Sequence, residues 1–463
     1  MPRTSDRHGD RNEALAGLIR RAGASHKSLA VQVNQIGAAA GVPLRYEHTS
    51  VARWVNLGMI PRGRVPEFLA AALGERLGRP VSVDEIGMYS RSGGNPDMGL
   101  DFARDPVDAI RVAATYWRTV DRTRRQLMSN GFAIAAFATP VTRWLTRPAD
   151  ASIGHEGGRQ VSRGDLVELW KAADEARQWD SRCGGGNWKA SSVVECLRLR
   201  AAPLLTGTYT ESVGRELFAA TSELSRVVAW SAVDSGRHDQ AQRHFVQALS
   251  LARAAGDVEG GCYVLATMAL QAFLRGHPGQ AADMAEGAYE RGLGHAAPRV
   301  LAFAKLAEAR AHGRIGNARA AQAALGRTQE LLDSIRPGSH DPDHLAYMTH
   351  ARLATDATEV HRDLIDPKGA FKWAELAEPM PADRFTRATG IRMAVLTASH
   401  LQARELEAGL AAAGTSLDIL RNVHSPRAHN YLHEVLRAMA EWKNHPEVAD
   451  LVHRTHTELP AAA

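Results

Sequence analysis

The chain has 463 residues and a net charge of +5, enough length for about two or three domain cores. Its three cysteines, Cys183, Cys196 and Cys262, fall in no ligand spacing. That excludes a disulfide framework and a cysteine-held zinc, and points to buried thiols in a reducing compartment. The polar start lacks an apolar signal core, and the most apolar run, residues 131–141, is too short to cross a bilayer. A cytoplasmic protein with no membrane partner is expected. Residues 1–125 carry 19 Lys/Arg against 13 Asp/Glu, and the remainder 37 against 38. The basic surplus belongs to the first quarter and favours an anionic partner there.

Five short helices are expected in residues 1–90. The first, over 12–23, sets Leu15, Leu18 and Ile19 on one face, with Asn12 as its cap and Gly23 at its end. Ser25 caps the second, where Leu29, Val33 and Ile36 align and small Ala30 allows close approach. The third lies in "YEHTSVARWVNLGMIPRG" (46–63), capped by Thr49 or Ser50. Val51, Trp54 and Val55 form its buried stripe and leave Ser50, Arg53 and Asn56 outward; Gly58 and Pro61 end it. The fourth, over 64–79, carries Val65, Phe68, Leu69, Ala72 and Leu73 at helical spacing. A Ser82–Glu85 capping box opens a fifth over 82–88.

A compact run of short helices with a polar-faced third one fits a helix-turn-helix DNA-binding domain. Ser25–Ala30 and "RWVNLGMIP" (53–61) resemble the repressor-type family, also termed XRE or Cro/C1-like. There a Ser-x-x-x-Leu-Ala helix precedes a recognition helix that ends in a similar motif. The connection between the two helices here, "NQIGAAAGVPLRYEH", is longer than that family's usual turn. The resemblance implies that Ser50, Arg53 and Asn56 face the major groove of double-stranded DNA. Arg53 would offer its fork to a guanine edge. Lys27, Arg45, His48, Thr49, Arg62 and Arg64 are the phosphate candidates.

Residues 89–106 are rich in Gly, Pro, Ser and Asp and read as a linker, after which 107–128 form a helix. Its stripe is Ile110, Ala113, Ala114, Trp117, Val120 and Leu127, and its other face is basic. An exposed loop at 147–160 and a helix over 163–180 follow. Gly184–Gly186 read as a helix-to-helix turn, because no Gly-Lys-Ser/Thr follows to make a phosphate loop.

The clearest signal is a 40-residue repeat. Gly236, Gly276 and Gly316 stand in register, as do Ala241, Ala281 and Ala321, and Phe245, Ala285 and Leu325. Ala229, Ala269 and Ala309 coincide upstream, near Ala232, Ala272 and His312. Small residues let antiparallel helices approach, and the glycine makes the turn between them. The pattern is similar to the tetratricopeptide repeat, with one more copy expected at 204–220 and less regular ones at 366–377 and 401–417. The fold class expected is therefore all-α: a helix-turn-helix domain (1–90), a linker (91–106), a helical connecting region (107–200) and a tetratricopeptide-like α-solenoid (201–455). Segments 214–257 and "CGGGNWK" resemble actinomycete regulators that join a repressor-type domain to degenerate tetratricopeptide repeats. Stacked pairs make a solenoid whose concave face suits a protein, peptide or small-molecule partner, and a homodimer contact through the repeats would place two heads on a two-fold operator.

No HExxH, GxSxG or paired-carboxylate pattern asks for catalysis, so no enzyme, cofactor or metal site is expected. "HDPDH" (340–344) has two histidines but no further ligands, and reads as an exposed loop between repeats. Two functions remain: a DNA-binding transcriptional regulator, or a scaffold whose head docks a transcription factor without a DNA site of its own.

Overall fold

The structure, a computed structural model, describes residues 11–39, 42–61, 65–78, 81, 83, 85–88, 98–123, 131–146, 153–183, 189–377 and 382–459. It is all-α. Among the described residues the only β pairings are two isolated bridges, His155 with Tyr209 and Gln160 with Thr208. No described helix is long and apolar enough to cross a membrane. The chain divides into two compact units, Met1–Asp97 with Thr123–Ser129, and Met98–Arg122 with Asn130–Ala463.

The first unit holds α1 (Glu13–Arg21), α2 (His26–Ala39), α3 (His48–Asn56) and α4 (Val65–Leu77). The expected caps form: Asn12 accepts from Leu15 N at 2.9 Å, and Ser25 Oγ from Ser28 N at 3.1 Å. The apolar stripes meet in one core of Leu15, Leu18, Leu29, Val33, Trp54 and Leu73, with Val51, Phe68 and Leu69 beside them. Two local expectations need correction. Helix α3 starts at His48, and neither Thr49 nor Ser50 caps it; the residue before it, Glu47, is extended and gives no side-chain cap. The cause lies upstream, where Asn34 bonds both the N–H and the carbonyl of Tyr46 at 2.9 Å and holds the chain extended up to the helix. The described part of 82–88 is a turn, not a helix. Gly87 sits at φ +64, and the Asn12 amide takes the Ile86 and Gly87 carbonyls; Ser82 lies outside the described residues.

The second unit begins with α5 (Pro106–Thr123), α6 (Ala138–Thr146), α7 (Arg163–Cys183), α8 (Lys189–Cys196) and α9 (Ala202–Leu205). Four helix pairs follow: α10 (Glu211–Asp234) with α11 (His238–Ala255), α12 (Val258–Leu274) with α13 (Pro278–Gly292), α14 (Pro298–Ile315) with α15 (Ala318–Asp333), and α16 (His350–Asp363) with α17 (Pro367–Leu376). Then come α18 (Ala382–Gln402), α19 (Leu406–Leu420), α20 (Pro426–Ala438) and α21 (Pro446–Glu458), of which α18 pairs with α19. Gly236, Gly276 and Gly316 make the turns within the first three pairs at φ +74, +79 and +83. Each turn closes with the same two backbone bonds, as in Gly236 N to Val233 O and Arg237 N to Ala232 O. Small Ala229, Ala269 and Ala309 are fully buried where the helices cross. The stretch 204–220 is not a further copy; it runs from α9 into the first helix of the first pair.

Residues 98–105, within the stretch expected as a linker, are fastened along α11. Arg243, Gln247 and Arg253 bond the carbonyls of Met98, Gly99 and Arg104. Gly184–Gly186 lie outside the described residues.

Candidate nucleic-acid interface and partner face

Helix α3 is amphipathic in the way its sequence requires. Val51, Trp54 and Val55 are buried, and Trp54 meets the Tyr46 ring edge-on with centroids 5.0 Å apart. The opposite side carries half-buried Ser50 and exposed Arg53 and Asn56. The long α2–α3 connection is pinned rather than loose. Asn34 clamps Tyr46, Val42 N bonds Gly37 O at 2.8 Å, and Leu44 lies where a side chain on residue 37 would stand. The entry of α3 is thereby fixed against α2, with which it packs.

Arg45, His48 and Thr49 are exposed at the entrance to α3, and Lys27 is exposed in the first turn of α2. Lys27, Arg45 and Arg53 make no ion pair with any described residue. The backbone N–H groups of His48 and Thr49 also have no described partner, so the positive end of the α3 dipole is open to an anion. Arg62 and Arg64 lie outside the described residues. Helix α3 thus carries a guanidinium, an amide and a hydroxyl on its outer side, with Arg45 exposed three residues before its start. Those are the groups that bond base edges and phosphates. Sequence reasoning did not single out Asn34 or Tyr46, the pair that fixes the helix in place.

In the second unit α10, α12, α14, α16 and α18 touch in succession, closer than the second helices touch each other, so they form the inner row of the curve. This row is charged and buried. Glu223 on α10 pairs with Arg226 at 2.7 Å and with Arg177 of α7, and the Arg226 guanidinium covers the Tyr263 ring at 4.2 Å. Burial alone would raise the Glu223 carboxyl, but Arg226 and Arg177 outweigh it and hold the group at about 2. Further along, Glu359 pairs with Arg310 at 2.8 Å and accepts from Tyr431 at 2.7 Å. Burial, then Arg310 and Arg362, set its carboxyl, again at about 2.

The HDPDH loop lies against the same row. Asp341 receives Arg299 in a two-pronged pair at 2.7–2.9 Å, His340 meets Glu259 at 2.9 Å, and His344 lies tilted over Tyr263. Among the described residues no three His, Cys, Asp or Glu gather to hold a metal. Cys262 is fully buried, and burial pushes its thiol up to about 12, so it is an inert core sulfur.

Residues 15–89 match the SP15 N-terminal domain family. The match spans α1 to α4 and the turn after them, which is the first unit and its α3 surface. No curated protein matches the chain.

Proposed function

We propose that the chain is a DNA-binding transcriptional regulator whose first unit reads DNA with α3 and whose repeats carry its control. The observation that supports this best is the combination at α3: a helix locked on its apolar side, with exposed Arg53 and Asn56 and a helix start without a side-chain cap, preceded by unpaired Arg45. Ser50, Arg53 and Asn56 then address base edges, while Lys27, Arg45, His48, Thr49, Arg62 and Arg64 address phosphates. The resemblance of 214–257 to the negative regulator of Streptomyces development and antibiotic production favours repression of development or secondary metabolism. A protein, peptide or small molecule on the inner row of the repeats would set the activity, with two copies on a two-fold operator. No catalytic role is part of this reading.

Selection from a random duplex pool by the full chain, followed by footprinting on the selected site, tests it. A discrete footprint whose base preference relaxes at one position in Arg53→Ala supports direct reading. Absence of any enriched sequence would move the protein to the second function. One feature favours that second function, a scaffold docking a transcription factor: the groove of about 820 Å3 between α2 and α4, lined by half-exposed Val31 with Gln32, Gln35 and Ile36.

A further inference from the structure

Among the described residues, every buried apolar residue of segment 382–459 belongs to one cluster, running from Ala394 to Leu451, that has no member outside the segment. The apolar core of α10 to α16 is a separate cluster. What joins the two is polar. Asp234, fully buried at the end of α10, takes Arg387 of α18 at 2.9 Å, and Arg427 and Ser425 at the start of α20 at 3.0 and 2.8 Å. Arg387 also holds Asp180 of α7 at 2.9 Å. Tyr431 of α20 donates to Glu359 of α16. Nearer the chain connection, Arg392 bonds the Ala374 and Ala377 carbonyls and the His400 ring lies on Phe371.

A seam of this kind opens at lower cost than an apolar one. Each ion regains its hydration when water enters, whereas separated apolar faces gain nothing. Both sides keep their own core when they part. The seam also has a direction: Asp180 of α7 and Asp234 and Glu359 of the repeats supply the acids, Glu359 with Arg310 and Arg362 of the repeats already beside it, and the C-terminal segment supplies two arginines and a phenol.

We propose that residues 382–459 form a lobe that swings off the repeats as a unit, uncovering the acidic row Asp180, Asp234 and Glu359 as the docking site for a partner peptide bearing arginine and tyrosine. The lobe is the resident occupant of that row, and α20 shows the chemistry a competitor must copy: Arg427 and Tyr431 one helical turn apart. The partner claim rests on the reading of the repeats as the controlled part, whereas the opening of the lobe does not.

Hydrogen exchange of the full chain, followed by mass spectrometry without DNA, tests both claims and is indifferent to whether α3 binds DNA. The amides of α18 to α21 should exchange together, about tenfold or more faster than those of α12 and α14. Asp234→Asn, and separately Tyr431→Phe, which removes only a hydroxyl, should each speed the lobe by about a further tenfold and leave α12 and α14 unchanged. A synthetic peptide of residues 424–438 added in excess should speed the lobe too, and its version with Arg427→Gln and Tyr431→Phe should not. Three results would overturn the proposal: a lobe as protected as α12, variants that speed all the repeats alike, or equal action by both peptides.

Discussion

In the first unit, among the described residues, everything buried is apolar or backbone-like, and the arginines and lysine around α3 point outward without partners. The second unit does the reverse. It buries Glu223, Arg226, Asp234, Arg310, Glu359 and Arg387 and pairs them with one another. A charge paired inside a protein is committed to that protein's own geometry, and a charge left unpaired on a rigid helix is available to something else. The contrast fits the proposed function, in which the first unit would meet an anionic partner and the second would hold a specific conformation.

The sharpest way to break that contrast is to damage each unit through its own currency. Trp54→Ala should open a cavity in the first unit at about 3–5 kcal/mol. Asp234→Ala should cost the second unit a similar amount, about 3–5 kcal/mol, by leaving half-buried Arg427 without its carboxylate and buried Arg387 with Asp180 alone. Calorimetry of the two variants should show different transitions shifting; a common shift would mean the units do not stand on separate cores.

Acid should separate them next. Glu223 and Glu359 are depressed to about 2 from an unfolded value of about 4.5. Their contribution is therefore complete above about pH 4.5 and is lost as pH falls toward 2. Denaturant melts between pH 6 and 3 (roughly) should weaken the repeats more steeply than the first unit. Equal loss in both would place the sensitivity elsewhere. A smaller effect comes from Ala272→Leu, which should overpack the crossing of α12 with its neighbours by roughly 1–3 kcal/mol in the same melts. An unchanged midpoint would deny that Ala272 is a close-approach position.

Much of this was legible in the sequence, for a physical reason. Caps, apolar stripes and turn glycines are local, so Asn12, Ser25, Gly236, Gly276 and Gly316 announced their roles. The later pairs were half hidden because the same turn recurs without glycine: Ile365 and Arg404 adopt φ +56 and +65, with the same two closing bonds. Insertion of the 336–349 loop also breaks the 40-residue register before α16. The outward set on α3 followed from helical spacing alone. Asn34 was missed because a side chain bonding a backbone twelve residues on leaves no period. Asp234, Arg387 and Arg427 were missed because partners this far apart in the chain, 193 residues for Asp234 and Arg427, look in sequence like a solvated surface.

Fluorescence titration of the selected duplex with the full chain, at a series of salt concentrations from about 50 to 200 mM, tests the central claim most directly. If Lys27, Arg45, Arg62 and Arg64 meet phosphates, affinity should fall steeply and linearly on logarithmic axes, and Lys27→Ala should flatten the slope by about 1. Arg53→Ala should leave that slope nearly intact while erasing about 1–3 kcal/mol of preference at one base pair. An affinity that hardly changes with salt, or an Arg53→Ala protein that discriminates sequences as the wild type does, would contradict the account.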